Sequence, residues 1–97
     1  MIWSFHPEAE RELLDAIDYY EAKAPGLGRD FAVETYAAVT RMLEFPNAWP
    51  RLDEDVRRVL MNRFPFGLLY GVRGDSCRVL AVMNLHRDPD YWRERLR

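Results

Sequence analysis

Thirteen of the fourteen basic residues are arginine, and Lys23 is the one lysine. A guanidinium is a planar fork that grips a carboxylate or phosphate through two parallel hydrogen bonds, which an ammonium cannot do. A solvated surface that happens to use arginine has the same composition, so this bias alone leaves both readings open. Other reactive groups offer less. Cys77 is the single cysteine and cannot form an internal disulfide, and with His6 and His86 eighty positions apart it makes a poor zinc set. Asp53-Glu54-Asp55 reads as a solvated turn rather than a metal site. Ser76 lacks the flanking glycines of a nucleophile elbow, and no glycine-rich phosphate loop of either common type occurs. The expectation is a protein with no metal and no cofactor.

The chain has 97 residues, of which 48% are apolar and 31% charged, which suits one soluble domain spanning 1–97. The longest apolar runs, such as Gly67–Val72, fall far short of a membrane span. No basic segment followed by an apolar stretch opens the chain, so the expected compartment is the cytoplasm. The net charge of −2 hides a polarity. Residues 1–55 carry twelve acids against five bases, leaving −7, whereas residues 56–97 carry nine arginines against four acids, leaving +5.

These side chains must be positioned by a small set of elements. Ile2–Phe5 reads as a short strand. Pro7 suits the first turn of a helix, and Glu8, Glu10 and Glu12 follow where the helix dipole favours acids. His6 adjoins that cap. From Glu8 to about Ala24 the residues Ala9, Leu13, Ile17 and Tyr20 form an apolar stripe widened by Leu14, with Glu12, Asp15, Asp18 and Glu21 assigned to the opposite, solvated face. Pro25-Gly26 stops the helix and Gly28 helps set the turn. A second helix is predicted from about Arg29 to Phe45, with Phe31, Thr35, Ala38, Met42 and Phe45 merging with Ala32, Tyr36, Val39 and Leu43. So short a connection forces an antiparallel hairpin. Pro46–Asp55 reads as a surface connection from which Trp49 folds back onto the core. Val56–Asn62, Phe66–Val72 and Ser76–Leu85 alternate like a three-stranded antiparallel meander. The tail ends in a short helix or turn. The predicted class is α+β: an N-terminal strand and a helical hairpin packed on a small, mainly antiparallel sheet, in the order β-α-α-β-β-β.

Strand parity raises a question of cover. In the last strand Cys77, Val79, Ala81 and Met83 share one face, and Arg78, Leu80, Val82 and Asn84 the other. Leu68 and Tyr70 likewise oppose Leu69. Both faces therefore carry apolar residues, yet one helical hairpin covers only one. The second face must meet the tail with Tyr91 and Trp92, a second copy, or another chain.

Several blocks occur in a telling order: Phe5-His6-Pro7-Glu8-Ala9-Glu10, Tyr19-Tyr20-Glu21, Pro25-Gly26-Leu27-Gly28 with Phe31, Pro46 with Trp49-Pro50, and Arg57-Arg58. Arg63-Phe64-Pro65-Phe66, Tyr70, Val79-Leu80-Ala81-Val82, His86-Arg87, Pro89 and Tyr91-Trp92 complete the series. Across essentially the whole chain this pattern resembles the RelE/ParE superfamily of toxins from type II toxin–antitoxin modules, in its ParE-like branch, whose members are tied to plasmid stabilization. The resemblance implies a cognate antitoxin whose C-terminal segment wraps the toxin, with acidic side chains meeting arginines. The candidate antitoxin- or target-binding residues are Arg57, Arg58, Arg63, Arg78, His86, Arg87, Tyr91 and Trp92.

The same resemblance implies two targets. ParE-like members are linked to inhibition of DNA gyrase and act as binders. RelE-like members cleave mRNA in the ribosome with lysines, arginines and a C-terminal tyrosine. A RelE-like reading would use His86 as general base, Arg57, Arg63 and Arg87 on the phosphate, and Tyr70 or Tyr91 as acid. The single remote lysine and the slightly acidic balance depart from that pattern, because a ribosome-directed protein ordinarily presents a large positive field. Gyrase inhibition leads, the nuclease is the alternative, and a non-toxic interaction remnant is a third reading. No direct sequence-specific DNA binding by the chain alone is expected.

Overall fold

A computed structural model describes residues 1–96. The elements run β1 (Ile2–Phe5), α1 (Pro7–Lys23), α2 (Leu27–Glu44), β2 (Arg51–Asp53), β3 (Val56–Leu60), β4 (Phe66–Arg73), β5 (Ser76–Asn84) and a terminal 3₁₀ turn at Arg93–Leu96. The strands form one sheet in the order β1-β5-β4-β3-β2, antiparallel except that β1 pairs parallel with β5. This is the predicted α+β order, with one addition. The acidic connection folds back to make β2, because Arg51 and Asp53 pair with Arg57 and Val56 across a two-residue turn. Three residues between Pro50 and Glu54 are too short to show a period, which is why the strand was invisible in the sequence.

His6 caps α1: its Nδ1 accepts the Glu8 amide at 3.1 Å, and Pro7 occupies the first turn. The helix buries Ala9, Leu13 and Ala16, while Leu14 stays outside the stripe, 54% exposed. α2 starts two residues earlier than the apolar pattern suggested, because the Glu21 carboxylate of α1 accepts the amides of Gly26 and Gly28 and satisfies the free helix start from outside. Gly28 is thus a helical residue. A Cβ there would fall 2.6 Å from the Ile17 carbonyl, so only glycine allows the two helices this approach. Within α2, Phe31, Thr35, Ala38, Val39 and Met42 are buried, while Tyr36 and Phe45 lie on the surface. Phe31, Tyr20, Phe64 and Phe66 pack ring against ring with centroids 4.7 to 6.2 Å apart, joining both helices to the start of β4. Trp49 does fold back, and its Nε1 donates to the Arg41 carbonyl at 3.2 Å.

The parity read for β5 needs correction. Tyr70 pairs with Val79 but Leu69 pairs with Ala81, so Leu80 is an extra residue, a β-bulge. Cys77, Val79 and Val82 face the helices, whereas Leu80, Ala81 and Met83 face the other way. Each residue after the bulge sits on the face opposite to the one that strict alternation assigns.

The uncovered second face is also corrected. Val56, Leu69, Leu80, Ala81 and Met83 form a second apolar cluster, and the chain's own tail seals it with Trp92, which is fully buried. The indole donates to the Pro89 carbonyl. Arg93 bonds Asp53 and Asp90, so the acidic turn holds the tail down on β2. The fold is therefore closed on both faces.

Two outcomes follow. Trp92→Ala should cost about 3–5 kcal/mol in a urea denaturation, more than Leu14→Ala, whose side chain is largely in water already. The His6 pKa is lowered by burial and by the charges of Arg78 and Arg95. A ring that binds protons less readily when folded adds stability that is complete above its unfolded pKa, about 6.5, and is lost as pH falls through the lower folded value. Denaturation midpoints should therefore fall below that pH in the wild-type chain, and His6→Asn, which keeps a cap, should remove this contribution to the decline.

Candidate functional site

The geometry around β5 starts from a mismatch of strand lengths. β5 has nine residues and β1 only four, so their pairing ends at Phe5 and Val79, where the His6 amide donates to the Val79 carbonyl at 2.8 Å. From Leu80 onward the outer edge of β5 has no strand beside it. Two side chains take the vacant ladder positions. The Val82 amide donates to Glu12 Oε1 at 3.0 Å, and the Leu80 carbonyl accepts from Arg95 Nη1 at 3.0 Å. Arg95 and Glu12 close a two-pronged ion pair at 2.8 and 3.1 Å, with both side chains nearly buried.

Around this pair the tail is layered. The Arg87 guanidinium lies 3.5 Å from Glu12 and 3.8 Å over the Tyr91 ring, and Arg95 approaches the same ring at 4.9 Å. The Tyr91 hydroxyl is buried beside Glu12 without closing a hydrogen bond of good geometry to it. Burial pushes its pKa far up, and the neighbouring carboxylate adds to that.

The residues singled out in the sequence divide into separate groups. Arg57 and Tyr70 sit side by side on β3 and β4, but both are engaged: Arg57 Nη1 donates to the Trp49 carbonyl at 2.8 Å, and the Tyr70 hydroxyl donates to the Pro46 carbonyl at 2.6 Å. Tyr70 is fully buried and its pKa is pushed up to about 12, chiefly by burial. Arg63 lies in the turn between β3 and β4, paired with Asp30 at 3.4 Å, while Glu34 accepts the Asn62 and Arg63 amides. Arg58 lies on the tail-covered face with its stem over Gly67, where a Cβ would meet its Cγ at 3.1 Å. Arg78 is exposed on β5. His86 is exposed just beyond β5, its amide bonded to the Asn84 side chain.

The candidates named for a nuclease fall into separate groups. Arg87 and Tyr91 are brought together, with His86 next in the chain. Arg57 and Tyr70 pair higher on the sheet, and Tyr70, buried and committed to a carbonyl, is not placed to protonate a leaving group. Trp92 offers no surface to a partner while the tail is in place, because the sheet's second core takes all of it.

Glu12 and Arg95 escaped the sequence reading, although one signal was present. Ala9, Glu12, Leu13 and Ala16 stand at i, i+3, i+4 and i+7, so Glu12 lies on the buried face and not opposite it. Glu34 holds the equivalent place with Phe31, Thr35 and Ala38.

Below this pair, α1 and the lower ends of β4 and β5 border a groove of about 510 Å³, lined among others by Ala16, Tyr19, Phe66, Val82, Asn84 and Arg87. It runs beside the strandless edge of β5. Its lining is mainly apolar, with polar groups from Glu12, Asp15, Asn84 and Arg87.

No protein-family model matches the sequence, and no curated protein matches it. Among solved structures, a chain of the chromosomal ParDE TA system from P. aeruginosa is similar with a TM-score of 0.63 and 18% sequence identity, over 89% of this chain and 97% of that one. The likeness establishes a shared fold.

Glu12→Ala leaves Arg95 charged without its partner and the Val82 amide unbonded, and should cost about 3–5 kcal/mol by chemical denaturation. In a double-mutant cycle with Arg95→Ala the two losses should fall short of additive by about 1 kcal/mol or more.

Proposed function

We propose that this chain is the toxin component of a type II toxin–antitoxin module, ParE-like, neutralised by a cognate antitoxin and acting as a binder that inhibits DNA gyrase. The observation that carries the reading is the shared fold with a chain of a ParDE system over nearly the whole of both chains, together with the ordered sequence blocks that resemble ParE-like toxins.

With the second sheet face closed by the tail, we read the antitoxin site as lying at the outer edge of β5. An edge strand with unpaired backbone groups accepts an added strand, and an apolar groove alongside takes its side chains. The short stretch of β5 beyond Val82 and the mainly apolar groove beside it would suit such a segment. A C-terminal antitoxin segment that orders on binding suits such a site.

For the target, the engagement of Tyr70 and the separation of Arg57 from Arg63 favour gyrase over a nuclease built on those residues. Catalysis on RNA needs a base, an acid and phosphate-binding cations within hydrogen-bond reach of one scissile bond. Here Tyr70 is spent, and Arg63 lies in the turn between β3 and β4, away from Arg57 near the start of β3. Both readings place the protein in the cytoplasm, and no helix of the described residues is long and apolar enough to cross a membrane.

The purified protein should block DNA supercoiling by gyrase, and an equimolar amount of the neighbouring gene's product should relieve the block. Tyr70→Phe should inhibit as well as wild type. Undisturbed supercoiling, with mRNA cut on translating ribosomes, would transfer the assignment to the nuclease.

A further inference from the structure

On the tail-covered side of the sheet, the upper halves of β4 and β5 make a second cleft of about 340 Å³, separate from the groove beside α1. Its floor is Gly71, which faces Arg78 across the strand pair, so no side chain from β4 fills the space beneath that guanidinium. Arg73 stands opposite Ser76, two residues before Arg78. The two arginines are therefore diagonal neighbours on one face, roughly 7–8 Å apart. Leu80 and Leu96 form an apolar wall, Arg95 lies behind them bound to Glu12, and Asp55 is at the rim.

Most arginines with a resolved role are committed elsewhere: Arg63, Arg87, Arg93 and Arg95 to carboxylates, Arg41 and Arg57 to carbonyls. Arg73 and Arg78 make no ion pair among the described residues, and both are exposed. The field of Arg78 and Arg95 reaches as far as His6, whose protonation it opposes.

We propose that this cleft binds an extended acidic segment of a partner polypeptide through two carboxylates spaced two residues apart. Same-side residues of an extended chain repeat at about 6.6–6.8 Å, close to the separation of the two arginines, so each carboxylate can take one guanidinium fork. The leucine wall packs the aliphatic parts of such a segment. A polypeptide suits the cleft better than a nucleic-acid backbone, because Leu80 and Leu96 offer its aliphatic parts a wall that a phosphate chain cannot use. The site goes beyond the toxin reading, and its test uses the protein alone, so its failure leaves the gyrase result untouched.

Three capped pentapeptides, Gly-Asp-Ala-Asp-Gly, Gly-Asp-Asp-Ala-Gly and Gly-Asn-Ala-Asn-Gly, are titrated into ¹⁵N-labelled full-length protein at low salt while the arginine Nε–H signals are followed. The spaced acidic peptide should shift Arg73 and Arg78 saturably and leave Arg58 still. The contiguous acidic peptide should bind at least threefold more weakly, and the asparagine peptide at least tenfold more weakly. The surface variant Arg73→Gln/Arg78→Gln should lose about tenfold or more in affinity for the spaced peptide. Equal binding of the two acidic peptides, equal shifts at Arg58, unchanged affinity in the double variant, or tighter binding of a thymidine pentanucleotide would each overturn the proposal.

Discussion

A single carboxylate, Glu12, holds three parts of the molecule to one another. It projects from α1, takes the amide that follows the β5 bulge, and grips Arg95 of the tail with both oxygens. Burying an ion pair is costly, and such a pair adds little net stability over well-packed apolar residues. Its effect here is positional. A carboxylate and a guanidinium stand where a longer β1 would have supplied a carbonyl and an amide, so β5 keeps its ladder satisfied without a strand beside it. The tail that carries Arg95 is placed with Trp92 directly over the second face of the sheet.

The same device recurs twice. Glu21 accepts the amides that begin α2, and Glu34 accepts those of the turn between β3 and β4. A helical acid thereby ties down a backbone segment that no regular element satisfies. Part of the −7 charge of the N-terminal half is thus internal structure, which leaves less of it to act as a solvated face. The +5 half is divided in a parallel way, between arginines that bind the chain to itself and the few, Arg73 and Arg78 among them, that remain directed outward.

That division bears on function. Tyr70 and Arg57 share the helix-facing side of the sheet, Arg73 and Arg78 the tail-covered side, and Arg87 meets Tyr91 beyond the end of β5. A binder needs only edges, grooves and unpaired charge, and the fold supplies each: a strandless edge, an apolar groove beside α1, and an arginine cleft on the reverse face. These surfaces coexist with a tail that already closes the second core, so a partner meets a finished domain and not an incomplete one.

The amino-acid sequence by itself determined the elements and their order. Apolar spacing in α1 and α2, the Pro25-Gly26 stop and the alternation in β3 to β5 are local signals, and they act within a turn or a strand's length. Tertiary structure decided what those signals could not carry. β2 exists because a turn pairs it with β3. The Leu80 bulge reverses the faces of Ala81, Val82 and Met83, since one inserted residue inverts a period of two. Glu12 and Arg95 meet across 83 positions of chain, and only the packed fold makes a buried charge at one of them tolerable, because its partner arrives from the other end.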